Sequence, residues 1–319
     1  MGKRNKQVAR QGAVAVSGLA LALAAAFAHA GAITSWSYST DSSFTGATFS
    51  SGGTGTTTTL PTELSWGATG GDFHIDTGDS GQNRSALTIG SGATGAAREG
   101  GGPVTGSVLT TFSGPLNVAP GTSFTHWNNP ISASFNTLTG GIVTDTLTLT
   151  PTAPAEYAGL PLVSAPTLVF NFHFQETPNS GGAGGLCADG VSAGSYPGGC
   201  PDLFGFDAVT LNNAFQYVDS GPDNMFGTGD EFLRTYYASV FVLDDQGGAF
   251  PLQQLVAGEC TALGLSVGCF GFRTLEGTQT TAQFAFAVTT ERITVPEPGA
   301  LALVGLGLAG LGFSRRKKA

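Results

Sequence analysis

Three sets of residues in this chain have types and spacings that could do chemistry. The first is four cysteines in two close pairs, Cys187 with Cys200 and Cys260 with Cys269. Zinc would need Cys-x(2–4)-Cys knuckles, and these spacings are far too wide. Local disulfides would close loops of about a dozen residues, each worth on the order of 3 kcal/mol in the chain-entropy model. Cys187 and Cys200 bracket a Gly-rich loop, 181–199, that has little else to order it. The second set is two acidic, Gly-flanked loops. One carries Asp72, His74, Asp76 and Asp79; the other carries Asp219, Asp223, Asp230 and Glu231. Carboxylates on loops suit calcium, so Asp219, Asp223 and Asp230 are candidate ligands. The Asp-x-Asp-x-Asp-Gly order of an EF-hand is missing, and a solvated acidic turn is the competing reading. No other cofactor is expected. The third set is the string Thr125-His126-Trp127-Asn128. On a strand, Thr125 and Trp127 face one way and His126 and Asn128 the other. The imidazole and amide could bond a neighbouring loop while Trp127 packs, or they could grip a sugar or a metal.

The short signatures of catalysis are missing. There is no Gly-x-Ser-x-Gly, His-Glu-x-x-His or phosphate loop. A glycoside hydrolase needs two carboxylates and no short motif, so it stays as a distant alternative. The expectation is a protein that is not an enzyme.

The elements that must position these residues are set by how the chain is partitioned. Lys3, Arg4, Lys6 and Arg10 precede an apolar run from Ala13 to Phe27 that closes at Ala28-His29-Ala30. Basic head, short apolar middle and small-x-small end describe a secretory signal peptide, residues 1–30, cut by signal peptidase. Export places the cysteines where disulfides persist. Of 13 basic residues, only five arginines lie between the two ends, against 21 acids from Asp41 to Glu291. A surface that acidic excludes nucleic acid as a partner, since binding it takes cations that replace counterions.

The middle, 31–294, is long enough for one large core. Its periodicity is two. Leu168, Phe170, Phe172 and Phe174 alternate with Val169, Asn171, His173 and Gln175, and Leu147 and Leu149 alternate with threonines. Gly, Pro, Asn and Asp clusters such as Gly70-Gly71-Asp72 and Asn128-Asn129-Pro130 separate the runs. The pattern predicts an all-β domain, an antiparallel β-sandwich of jelly-roll type with long Gly-rich loops. Segments 50–59 and 91–106 read as surface loops.

After the last alternating run comes Val295-Pro296-Glu297-Pro298, an apolar stretch from Gly299 to Phe313, and a basic stop, Arg315-Arg316-Lys317-Lys318. Fifteen helical residues span roughly 22 Å, short of a 30 Å hydrocarbon core. The basic ends would stay cytoplasmic. Segment 295–319 resembles the PEP-CTERM sorting signal of Gram-negative bacteria. The resemblance implies that exosortase, a membrane protease-transpeptidase, recognises and removes the segment, so membrane contact is transient, in the manner of a GPI tail. A plain single-span anchor is the rival reading.

Thr125-His126-Trp127-Asn128 resembles the motif that names the THxN family of PEP-CTERM proteins. Leu64-Ser65-Trp66-Gly67 leading to 85–89, and Phe172 to Asn179, are similar to that family as well. This resemblance implies a surface-associated β domain without an assigned activity, and the resemblance to the sorting signal implies an extracellular matrix role in biofilm or floc. The expected function is therefore structural or adhesive. The alternative is a carbohydrate-binding module that holds exopolysaccharide through exposed Trp66, Trp127 and Tyr217.

Overall fold

The computed structural model describes residues 31–75, 84–157, 160, 167–206, 212–243, 249–250 and 253–293. The signal peptide, expected as an N-terminal helix, Asp76, Asp79 and the sorting segment, expected to hold a short hydrophobic helix, lie outside the described residues.

Period-two alternation becomes strand throughout. In chain order the strands are β1 (Ser35–Phe49), β2 (Thr56–Leu60), β3 (Glu63–Gly67), β4 (Arg84–Gly90), β5 (Val104–Thr111), β6 (Val118–Asn128), β7 (Leu138–Ala153) and β8 (Thr167–Gln175). There follow β9 (Asp202–Phe206), β10 (Asn213–Asp219), β11 (Phe232–Leu243), β12 (Ala249–Phe250), β13 (Gln253–Gln254), β14 (Phe270–Thr274) and β15 (Thr278–Thr289). One short helix, α1 (Ala257–Ala262), interrupts them and is stapled by the second cysteine pair.

All-β is observed, but the jelly roll of two antiparallel sheets is corrected in two respects. The strands form one continuous hydrogen-bonded path, β13-β14-β9-β8-β7-β1-β5-β15-β6-β4-β3-β2, with β11 joined to β15 and β10 to β11. The sheet is also mixed, because β5 pairs with β15 in parallel at Val288 and Thr110. Alternation fixes which side chains face inward and says nothing about which strands pair, so the path could not be read from it. Segment 50–59, expected as loop, contributes edge strand β2; threonines suit a pleated edge as well as a loop.

The two arms of this path pack through two aromatic clusters. One joins Trp36, Tyr38, Leu147 and Leu149 to Phe215, Tyr217, Tyr236 and Phe286. The other joins Phe44, Val143, Phe172, Phe174 and Phe204 to Leu64, Trp66, Leu87, Ile89 and Phe124. β6 is covered on both faces from Gly121 to Asn128, which is why its polar residues end up buried.

Candidate functional site

The Thr125–Asn128 motif lies at the end of β6, between β4 and β15. Its side chains divide as alternation requires. On one face, Trp127 Nε1 donates to Thr88 Oγ1 at 3.0 Å, and the Arg98 guanidinium lies 4.9 Å above the ring. His74 packs edge-on to the same ring at 5.3 Å and bonds Asp72 at 2.5 Å and Glu99 at 2.9 Å. Burial works against a charged His74, but the hydrogen bonds and charges of Asp72 and Glu99 outweigh it and raise the imidazole above its ordinary value. Thr125 Oγ1 meets Thr281 Oγ1 on β15 at 2.9 Å.

The other face meets a cluster of buried polar groups inside the domain, termed the chamber below. His126 is buried, stacked on Trp66 at 6.0 Å and edge-on to Phe174 at 4.9 Å. Its Nε2 faces Asp202 Oδ2 at 3.9 Å, too long for a hydrogen bond. Trp66 Nε1 donates to Glu176 Oε2 at 2.9 Å. Asn128 Nδ2 donates to the Thr274 carbonyl at 3.1 Å, and Gly277 N donates to the Asn128 carbonyl. Thr274 is the register partner of Asp202 across β14 and β9, and Glu276 follows two residues on.

Three strands reach this chamber by the same parity. Phe172 and Phe174 on β8 lead to Glu176 just past its end; Phe206 and Phe204 lead to Asp202 on β9; Phe270 and Phe272 lead to Thr274 on β14, with Glu276 in the turn beyond. Register aligns Phe174, Phe204 and Phe272 side by side, so the polar ends of all three strands fall together. Phe204 stacks on Phe272 at 4.7 Å, closing the apolar side.

The cysteine loop forms the lid. The pairing Cys187–Cys200 is observed, with Cα atoms 5.4 Å apart, as is Cys260–Cys269 at 5.7 Å. Thr177 Oγ1 donates to the carbonyls of Cys200 and Pro201, and Thr177 N donates to Asp202 Oδ1 at 2.8 Å. Gly198, at φ +80°, lies directly on Glu276: a Cβ there would come within 2.8 Å of the Glu276 Cβ. Only glycine permits both that backbone and that approach.

Electrostatically the chamber is unbalanced. Burial pushes His126 down to about 3, so the imidazole is neutral. Burial, with the charge of Glu276, pushes Glu176 up to about 8, and burial pushes Glu276 up to about 7. Burial and the charges of Glu176 and Glu276 hold Asp202 well above the usual carboxylate range. His126 Nε2, Asn128 Oδ1, Asp202 Oδ2 and Thr274 Oγ1 are buried without a hydrogen-bond partner, and the buried Glu276 oxygens have the Asn179 side chain beside them without a well-formed bond. Such groups cost free energy unless something outside the chain satisfies them.

The other candidates are placed differently. Asp219 is fully buried and ion-paired to the Arg234 Nε, with Tyr236 donating to it at 2.9 Å, so it is not a free loop ligand. Asp223 caps the Met225 amide and Asp230 accepts from Thr228 Oγ1, turn chemistry in both cases. Asp219, Asp223 and Asp230 are therefore occupied separately, and among the described residues no group of three His, Cys, Asp or Glu is gathered for a metal. Trp66, Trp127 and Tyr217, expected as an exposed sugar platform, are 0%, 1% and 3% exposed. Inward parity and cover on both arms explain the correction. Among the described residues no helix is long and apolar enough to cross a membrane.

Residues 294–317 match the PEP-CTERM protein-sorting motif. They begin just beyond the end of β15, so the sorting segment follows the β domain directly. The match implies an exported protein that exosortase sorts to the bacterial cell surface. No curated protein matches the chain.

Proposed function

We propose that the β domain serves outside a Gram-negative cell as a non-catalytic structural or adhesive component of the extracellular matrix, a member of the THxN group of sorted proteins. The sorting match at 294–317 is the observation that carries this reading. Burial of the chemistry-bearing residues supports it: His126, Asn128, Asp202 and Thr274 are at most 1% exposed, out of reach of a polymeric substrate. So does the outer face of β5, β1 and β7, where side chains fall in hydroxyl rows. Ser107, Ser37 and Thr150 form one row and Thr105, Ser39 and Thr148 the next; Ser43 pairs with Thr144 further along. A hydroxyl-rich lattice, interrupted by exposed Asp41 opposite Thr146, suits many weak hydrogen bonds to polysaccharide or to neighbouring copies.

A carbohydrate-binding module remains the second reading, on a different surface from the one expected. Gly140 sits between Thr48 and His173 in the sheet register and leaves a shallow recess of about 320 Å³ walled by Thr48, Ile142, Asn171 and His173. The test is genetic. Deleting the gene, or exosortase, should reduce floc or biofilm cohesion while growth of dispersed cells is unchanged. Cohesion unaffected by both deletions would contradict a matrix role. Loss restored by a Gly140→Trp protein would set the recess aside and leave the structural role.

A further inference from the structure

We infer that the chamber beneath Asn128 takes up one hard divalent cation, calcium in an extracellular setting, as the domain folds. The donors are Asn128 Oδ1, Asp202 Oδ2, Thr274 Oγ1 and the two oxygens of Glu276. Each is buried, and Asn128, Asp202 and Thr274 leave these atoms without a hydrogen-bond partner, while Glu276 has the Asn179 side chain beside it. Five oxygens from amide, hydroxyl and carboxylate are the ligand chemistry of calcium, which takes six to eight oxygens at about 2.3–2.6 Å. Among the described residues no three His, Cys, Asp or Glu side chains gather for a metal, so the proposed set relies on an amide and a hydroxyl beside its two carboxylates.

Topology brings the segments that carry the donors together. Asn128 is bonded to the Thr274 carbonyl, Thr274 is in register with Asp202, and Glu276 follows in the turn that Asn128 also holds through Gly277. The lack of a cationic partner points the same way. No lysine or arginine is paired to Asp202 or Glu276 among the described residues, whereas buried Glu259 has Arg273 at 2.5 Å and Asp219 has Arg234. The lid formed by Gly198 and the Cys187–Cys200 loop makes uptake a folding event rather than a surface equilibrium.

The test uses the purified exported protein, unfolded and refolded with EGTA or with calcium chloride. Binding to the native state alone at about 100 Kd should raise Tm by roughly 5–10 °C. Terbium should luminesce on tryptophan excitation, because Trp66 adjoins the chamber, and calcium should quench it. Glu276→Gln with Asp202→Asn should abolish both responses, while Asp223→Asn with Asp230→Asn should leave them intact. Thr274→Val, which removes one neutral donor, should weaken the response at least several-fold and stands in if the double variant does not fold. No calcium shift in the wild type, a shift lost only in the Asp223/Asp230 variant, or one undiminished by Thr274→Val would each overturn the inference.

Discussion

Two buried aspartates near opposite ends of the domain show two ways of hiding a carboxylate. Asp219 and Asp202 are 0% and 1% exposed. Asp219 meets a guanidinium and a phenol, and the surrounding aromatic cluster is satisfied in the same way: Tyr38 donates to the Pro120 carbonyl and Trp36 Nε1 to Thr110. Asp202 meets a neutral imidazole at 3.9 Å and two further acids. Even with Arg234 beside it, burial raises Asp219 above its ordinary value, so desolvation is severe at both sites. The difference is the source of countercharge. One end supplies its own; the other depends on a proton or an ion from outside.

Removing the internal countercharge should have the largest effect. Arg234→Ala strands Asp219 and should cost about 3–5 kcal/mol, read by urea unfolding. Asp202→Asn in calcium-free protein should cost far less, since it removes a carboxylate that has no cationic partner and can keep the Thr177 hydrogen bonds through its amide oxygen. An equal loss at both sites would erase the distinction between them. Next in size is the lid. Cys187→Ser with Cys200→Ser should cost about 3 kcal/mol and shift Trp66 emission to the red as water enters. The corresponding change at Cys260 and Cys269 should leave the emission unchanged.

The pH dependence of calcium-free protein sharpens the comparison further. Glu176 and Glu276 have folded values of about 8 and about 7, above those of an unfolded chain. The folded state then holds more protons, so stability should be greatest in acid and fall as pH rises from about 4.5 through 8. Glu276→Gln should flatten the decline, and calcium should reverse it by favouring the charged forms. His126, held at about 3, works oppositely at the acid limit: its contribution is lost as pH falls below about 6.5 toward 3. The smallest effect is at His74, a third exposed, whose raised value makes its ion pairs stabilising below about pH 6.5 and lost as pH climbs through the folded value. Glu99→Gln should cost under about 1 kcal/mol and lower the His74 midpoint in an NMR titration.

Part of this was legible from residue order. Alternation gave the inward faces, and the opposite orientations of His126 and Trp127 followed from it. The disulfide partners followed from spacing and export. Two of the chamber acids were legible in principle: Glu176 and Asp202 each continue the inward parity of a Phe-x-Phe pair, which places a carboxylate where a core residue belongs. What order alone withheld was the register that aligns those three strand ends, because pairing partners are set by long-range packing. The same gap misplaced Trp66, Trp127 and Tyr217 on the surface. Asp219 looked like a loop ligand because its partners lie 15 and 17 residues away across a hairpin.

The most direct test of the account is the intact mass of the protein recovered from the cell surface and medium. A chain that starts near Gly31, lacks everything from Gly299 onward and has no free thiol is the predicted result. It would show export, removal of the sorting segment and two disulfides in one measurement. A chain in the membrane fraction that still carries Arg315 to Ala319 would contradict it, making this a tail-anchored inner-membrane protein.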